Sequence, residues 1–463
     1  MRNLLQRGPG IVHAPTCRRD RRCGPRVRSF ALAILAALFV FASWPASSAA
    51  GPGEKELRPP SYGYFDFPTC VRYALVHSDA FISSRINIQV RSVDLKDAHS
   101  EVLPTLQLLT RYYFTRARTT TGEGSRFNVQ LFMTGWNPYL ALLKIKSGQI
   151  LVDIAKTAHA DKIAENTSAI AKAFYSIAMI EKSMRAQKEI VALQRNKLNY
   201  ARSLSEQGSI DELELRGMTN ALKGMEIRVK TLKNQRDEQI ATLKTLIGYP
   251  PDHYLPLDTR DAVRQILGGF NGETVTFPEI QGNNWSLKIL AKKEQLQSNY
   301  VTGSYVALLP RPVILFEDIQ NQVDRTSGFN FALGFDYTLW DGFRRVRDIK
   351  RQKLNAQDAE IRRKRASEEL YGAFQRIRGT LATAGESESH AREEVKLAEL
   401  AEEKAFLGYK SGNVPYSEYM SSRIQKVRAQ VGALETSQTR VLNLIELATM
   451  AGGLNRYHAG IRF

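Results

Sequence analysis

Phe329 to Trp340 reads FNFALGFDYTLW, and this stretch decides the architecture. Odd positions carry Phe329, Phe331, Leu333, Phe335, Tyr337 and Leu339, while even positions carry Asn330, Ala332, Gly334, Asp336 and Thr338. Such period-two alternation predicts a strand with one apolar face and one small or polar face. Twelve residues at about 3.3 Å each, tilted by roughly 45°, cross about 25 Å, the apolar height of an outer-membrane barrel. A twin stands 204 residues earlier, where Phe127, Val129, Leu131 and Met133 alternate with Asn128, Gln130 and Thr134 and the run ends at Trp136. Each strand feeds a long charged stretch of helical composition.

Residues 1–50 are read apart from the fold. A cluster of arginines precedes the apolar run Phe30–Ala42, and Ser48-Ala49-Ala50 follows. The pattern predicts a secretory signal peptide whose apolar core is too short for a stable span. Without it the chain has 57 basic and 46 acidic residues, net +11 rather than +18. A basic protein suits nucleic acid, but an exported one does not meet it, so that class is set aside. Of three cysteines, only Cys70 lies beyond the signal, which leaves no intrachain disulfide partner. No apolar run of helical-span length follows, so any insertion into a bilayer falls to strands. Seven scattered histidines show no zinc spacing, and no Walker loop or dinucleotide turn occurs. Catalysis and a cofactor therefore have no support in the residues.

Taken in order, residues 51–251 form a first repeat. A helix is expected from Phe67 to about Val102, ended by Leu103-Pro104. A strand with Leu106, Leu108, Tyr112 and Phe114 follows, then a polar loop over Arg116–Ser125 and the twin strand, together a hairpin. Pro138 to about Gln207 is expected as a very long helix, because Ile163, Ile170, Ile177, Met184, Val191 and Leu198 recur every seven residues. Gly208 interrupts it, and a second helix starts at Ile210. Its seam runs Leu215, Met218, Leu222, Met225, Val229 and Leu232, breaks at Arg236 and Gln239, and resumes at Leu243 and Leu246. Gly248 followed by Pro250 stops it.

Residues 252–284 read as a linker and residues 285–453 as a second repeat. That repeat comprises a helix over Trp285–Val306, a strand from Pro312 to Phe316, a polar loop over Glu317–Ser327 and the opening strand. A long helix over Arg344–Lys410, the break at Gly412 and a last helix complete it. The last seam holds Ile424, Val427, Val431, Leu434, Val441 and Ile445, with Gln438 at one position. Gly208 and Gly412 are 204 apart, and so are Gly248 and Gly452. Landmarks in one register point to an internal duplication. Residues 454–463 read as a tail.

Four amphipathic strands cannot close a barrel, since the smallest bacterial ones have about eight strands and lipid tolerates no open edge. The fold class expected is therefore mainly α with a small transmembrane β part, in a chain that pools its strands with identical copies. The competing reading is a periplasmic coiled-coil scaffold without a channel, which leaves the alternation at Phe329–Leu339 unexplained.

The Leu-Pro pairs before strands, the Trp-Asp-Gly-Phe-Arg-Arg junction at Trp340–Arg345, the Gly turns and the Leu-Ile-Gly at Leu246–Gly248 occur together and in order. In this the chain resembles the TolC-like outer-membrane efflux protein family over about Tyr64–Gly453. The resemblance implies a homotrimer with a shared twelve-stranded β-barrel continuous with a periplasmic α-helical barrel, in the outer membrane of a Gram-negative bacterium. It implies a passive exit duct for small molecules or proteins, served by a periplasmic adaptor and an inner-membrane RND, ABC or MFS transporter. On this reading the strand residues Phe127, Val129, Leu131, Phe329, Phe331, Leu333, Phe335 and Tyr337 face outer-membrane lipid. The tips that dock the adaptor are Leu204, Gly208, Ser209 and Ile210 with Lys410, Ser411, Gly412 and Asn413. Tyr409 matches a gate tyrosine of the family, Glu214 a carboxylate in the side-chain links that close this end, and Glu418 a carboxylate lining the constriction; for both carboxylates, an ordinary solvated helix face is the alternative. Val414 departs from the family's arginine and Ser421 from a second acidic residue. The basic run Arg344, Arg345, Arg347, Lys350 and Arg351 reads either as solvated helix or as a contact for lipid headgroups.

Overall fold

A computed structural model describes residues 63–454 apart from 104–106, 116–123, 133–136 and 322–325. For strand residues 107–115, 124–132, 314–321 and 326–330 the backbone alone is described. The expected signal peptide, the twin strand's end at Trp136 and the tail beyond Leu454 lie outside the described residues.

The chain begins with α1 (Phe67–His77) and α2 (Asp79–Ser100), followed by β1 (Gln107–Thr115), β2 (Gly124–Phe132), α3 (Pro138–Glu206) and α4 (Glu212–Ile247). Two short helices, α5 (Ala262–Leu267) and α6 (Phe277–Asn283), lead to α7 (Trp285–Val306). The order then repeats with β3 (Arg311–Asn321), β4 (Thr326–Asp336), α8 (Arg344–Lys410) and α9 (Tyr416–Met450). At 69 residues, α3 is about 100 Å long. Asn137 caps it by accepting from the backbone N–H groups of Tyr139 and Leu140, and Pro138 stands where a missing N–H costs nothing.

Helix α3 is the axis of the molecule. It packs against α2 and α7 towards the hairpins and against α4 and α9 towards the Gly turns. Helix α8 packs against α7 and α9 over the same two levels. The heptad positions explain this: Ile163, Ile170, Ile177, Val191 and Leu198 are buried. The largest core lies where α1 and α5 pack against α3, with Phe65, Phe67, Phe174, Ile170, Ile247 and Ile445 all buried.

The glycine landmarks share one conformation. Gly208, Gly248, Gly412 and Gly452 have φ of 76°, 73°, 79° and 73°, the left-handed region in which a helix stops at least cost. Both members of each 204-residue pair thus end a helix in the same way.

The strands form one antiparallel sheet in the order β1-β2-β3-β4. Its register sorts the residues. One row across the sheet is Leu108, Leu131, Phe316 and Phe331, and the adjacent row is Leu109, Gln130, Glu317 and Asn330. Since directly paired residues lie on the same face, Phe127, Val129, Leu131, Phe329, Phe331, Leu333 and Phe335 all fall on the first face. Asp318 and Gln320 join them in the rungs next to the 322–325 connection.

Several sequence-based expectations need correction. The opening strand spans Thr326–Asp336 instead of Phe329–Trp340, so Tyr337 lies just past its end. Its last rung is Asp336 with Arg311, which follows Pro310, a residue without an N–H to extend the ladder. Residues 317–321, expected in a loop, belong to β3, because β3 is central and pairs with β2 and β4 over that length. The twin strand begins at Gly124, three residues before Phe127, and is described as far as Phe132. The expected helix from Phe67 to Val102 is two helices, divided at the buried Ser78, whose ψ of 124° redirects the chain so that α1 enters the core. The second helix starts at Glu212, after Ile210. Residues 252–284, read as a linker, carry α5 and α6 and bury Leu255, Ile266 and Ile280.

Candidate functional site

Two regions follow from this layout, the sheet at one end of the long helices and the Gly turns at the other. The described side chains of β4 are bare of cover in the single chain: Leu333 is 66% and Phe335 72% exposed. Strands β1 and β4 each leave one edge without a partner among the described residues.

At the other end the α3–α4 turn is built by Ser209 N–H bonding Leu204 C=O at 2.9 Å, with Gly208 between them. The α8–α9 turn repeats it, Asn413 N–H bonding Gly408 C=O at 2.9 Å around Gly412. Gly408 is needed as well, because a Cβ there would lie 2.5 Å from Val414 Cγ2. Gly208, Ser209, Lys410, Ser411, Gly412 and Asn413 are exposed, and Leu204 and Ile210 are half-buried. The two turns share one end, since Tyr200 of α3 meets Tyr416 of α9 edge to face at 4.9 Å.

An aromatic cluster surrounds Tyr409. Its ring stacks on Tyr419 at 5.7 Å and 8°, and it lies 5.6 Å from Tyr416. Phe406 adds to Tyr419 at 5.5 Å. Glu214 and Glu418 are both exposed, with no side-chain hydrogen bond or ion pair among the described residues. The two departures from the family pattern have their own uses here. Val414 packs on Gly408, and Ser421 accepts a hydrogen bond from Lys197 Nζ at 2.7 Å, tying α9 to α3. Sequence reading singled out Tyr409 alone. The spacing of Phe406 and Tyr409 before the turn, and of Tyr416 and Tyr419 after it, puts each pair on one helix face, while the meeting of the two faces comes from the fold. Tyr416 pairs with Tyr200, Tyr409 and, at 6.4 Å, Tyr419, so Tyr416→Ala should loosen this turn by about 3 kcal/mol at roughly 1 kcal/mol per aromatic pair. Amide hydrogen exchange over 405–420 would rise, while Tyr416→Phe would leave it near the parent level.

Between these tips and the main core the packing is interrupted. Ile190, Leu193, Met420, Ile424 and Val427 form a separate apolar cluster near the turns. Above it lies a cavity of about 380 Å³ lined by Ser183, Gln187, Gln235, Gln239, Glu435 and Gln438, among others. The two seam breaks seen in the sequence, Gln239 on α4 and Gln438 on α9, thus face the same space. Filling it with Gln239→Leu and Gln438→Leu should raise stability by about 1 kcal/mol per site, as buried apolar area is gained. A denaturant midpoint that falls would show that the polar layer supports the bundle.

Farther along α8, Glu388 receives Arg392 at 2.6 Å and Arg440 of α9 at 2.7 Å. Burial pushes its carboxyl up, but the two guanidinium groups outweigh this and hold it below the usual range. Among the described residues, no group of three or more His, Cys, Asp or Glu is placed to hold a metal.

No protein-family model and no curated protein sequence matches the chain. Solved structures do. The outer membrane protein VceC of Vibrio cholerae superposes with a TM-score of 0.68 at 11% identity, over 83% of this chain and 96% of that one. The fold is that of the TolC-like outer-membrane channels. The CmeC outer membrane channel of Campylobacter jejuni shares this channel fold at a TM-score of 0.67 and 15% identity, over 84% of this chain and 85% of its own. The open state of the MtrE outer membrane channel of Neisseria gonorrhoeae gives 0.68 and 13%, over 83% and 88%.

Proposed function

We propose that the chain is one third of an outer-membrane exit duct. Three copies pool their strands in a twelve-stranded barrel, and their helices continue it as a tube across the periplasm of a Gram-negative bacterium. The observation that carries this is the register of the sheet. The apolar row Leu108, Leu131, Phe316 and Phe331 stands beside the mixed row Leu109, Gln130, Glu317 and Asn330, which supports a wall with lipid on the first face and water on the other, although Phe132 and Leu315 also lie on that second face. Four strands with two open edges are too few for lipid, so copies must supply the rest.

The helices support the same assembly. Helix α2 exposes the row Ile82, Ile86, Val90 and Val93, and α8 exposes Leu354, Ile361, Leu397 and Leu400. In the single chain, α8 buries only Phe374, Ile377, Ala384 and Ala391 among its described residues. These helices lie at opposite edges of the α2-α3-α7-α8 layer. Edge-to-edge contact is head-to-tail and closes into a ring when the rotation permits. A ring of three meets both the strand count and the need to cover these rows.

In this duct the turns at Leu204–Ile210 and Lys410–Asn413 dock a periplasmic adaptor, and the Tyr409 cluster, with Glu214 and Glu418 beside the turns, constricts the end. An inner-membrane transporter of the RND, ABC or MFS type supplies the energy for a tripartite efflux or type I secretion route. The chain conducts passively and performs no catalysis, in keeping with neighbours described as channels. Fractionation and sizing test the reading. The protein should sit in the outer membrane, run as a trimer in detergent and conduct ions in planar bilayers; a soluble monomer refutes it.

A further inference from the structure

The basic run at the start of α8 is not needed for the duct's closure or conduction, and its setting gives it a use. Helix α8 opens with Arg344, Arg345 and Arg347 and has no acidic residue in its first turn. Cations there oppose the helix dipole, whose amino end already carries positive partial charge. Asp341 offsets part of this. Its carboxylate accepts from the backbone N–H groups of Arg344 and Arg345 at 3.1 and 3.0 Å and pairs with the Arg345 side chain at 3.5 Å. Arg344 and Lys350 are exposed and have no ion-pair partner among the described residues.

Directly beside these charges is an apolar patch. Leu339 is 89% and Trp340 72% exposed, and Phe343 and Val346 are exposed too. Phe343 holds a φ of 62°, a costly value for a bulky residue, with its ring edge to face on Trp340 at 4.9 Å. The junction between the last strand and the helix is therefore braced, and it presents an indole and a phenyl ring next to guanidinium and ammonium groups. Exposed Trp beside Lys and Arg at the end of a membrane strand suits the zone where acyl chains meet headgroups.

We infer that Arg344, Arg347 and Lys350 with Trp340 and Phe343 form a binding surface for anionic phospholipid headgroups of the periplasmic leaflet. The rings enter the acyl boundary and the cations meet phosphate. This rests on the membrane reading given above. It adds that this leaflet contact selects by charge, and that the cations of the run serve it rather than bulk solvent.

The test uses the full-length protein in nanodiscs of phosphatidylcholine, alone or mixed with phosphatidylglycerol, with retained lipid read by native mass spectrometry. The parent should retain phosphatidylglycerol in preference to phosphatidylcholine. The triple variant Arg344→Gln/Arg347→Gln/Lys350→Gln should lose that preference by up to on the order of a hundredfold, from the attraction of each of three cations to an anionic surface. A second triple variant, Arg362→Gln/Lys364→Gln/Arg365→Gln, removes equal charge more than about three turns further along the same helix and should retain it. Equal retention by the parent and the first variant overturns the inference, as does equal loss in both variants. Failure of the parent to enter any bilayer overturns the membrane reading itself, and the two failures are thus distinct.

Discussion

Aspartate at Leu333 and Phe335 together should abolish assembly in the outer membrane. Both positions lie on the apolar face, paired by register with Ile314 and Pro312, and both are bare in the single chain. A charge on the lipid face of a barrel strand costs roughly 2 kcal/mol near mid-bilayer. Both sites lie past the midpoint of Thr326–Asp336, where that cost drops to roughly 1 kcal/mol, so two sites in three copies amount to about 6 kcal/mol, still comparable to the stability of an ordinary domain. The neighbouring position supplies the control. Ala332 lies on the opposite face, in the row with Leu315, so Ala332→Asp should leave insertion intact. Membrane fractionation and trimer content read the outcome. If the double variant and the control behave alike, the facing is wrong. If the double variant assembles normally, the coiled-coil scaffold without a channel becomes the better account.

The second large effect is expected at Gly248. This residue and Gly208 have nearly the same φ, 73° and 76°, and each ends a long helix. Their surroundings differ. A Cβ at Gly248 would lie 2.4 Å from the carbonyl oxygen of His77 and 2.7 Å from its carbon, whereas one at Gly208 meets nothing within 4 Å. Gly208→Ala should therefore cost only the left-handed backbone term, about 1 kcal/mol. Gly248→Ala adds displacement of the α1 backbone from the core, typically 1–3 kcal/mol more. Since α1 buries Phe67, Cys70, Val71 and Ala74, the loss should appear as global destabilisation in denaturant unfolding. Equal midpoints for the two variants would mean that α1 yields freely, and that the close approach has no energetic consequence.

The contrast between these two glycines marks how far the sequence could be read. Both were legible as helix stops, from the same local grammar of Gly after a seam. That one of them also seats α1 was not, because His77 lies far away in the chain. Likewise Gln239 and Gln438 were legible as interruptions of two separate seams. Their meeting around one cavity required the packing of α3, α4 and α9. At the tips, Tyr409 was singled out by resemblance, yet its partners Tyr416 and Tyr419 come from the folding back of α9.

Strand ends show the same division. Alternation identified the face that holds Phe331, Leu333 and Phe335, since side chains alternate whatever the partner. It carried the strand too far, to Trp340, because a strand ends where its neighbour ceases to offer a rung, and that neighbour begins at Arg311.

By itself, then, the sequence determined the repeat, the long helices with their stops, and which residues of each strand share a face. These depend on interactions among residues a few positions apart. The tertiary structure decided where strands end, how α1, α5 and α6 form the core, and which residues meet at the tips. Those depend on contacts between segments distant in the chain, which no local period encodes.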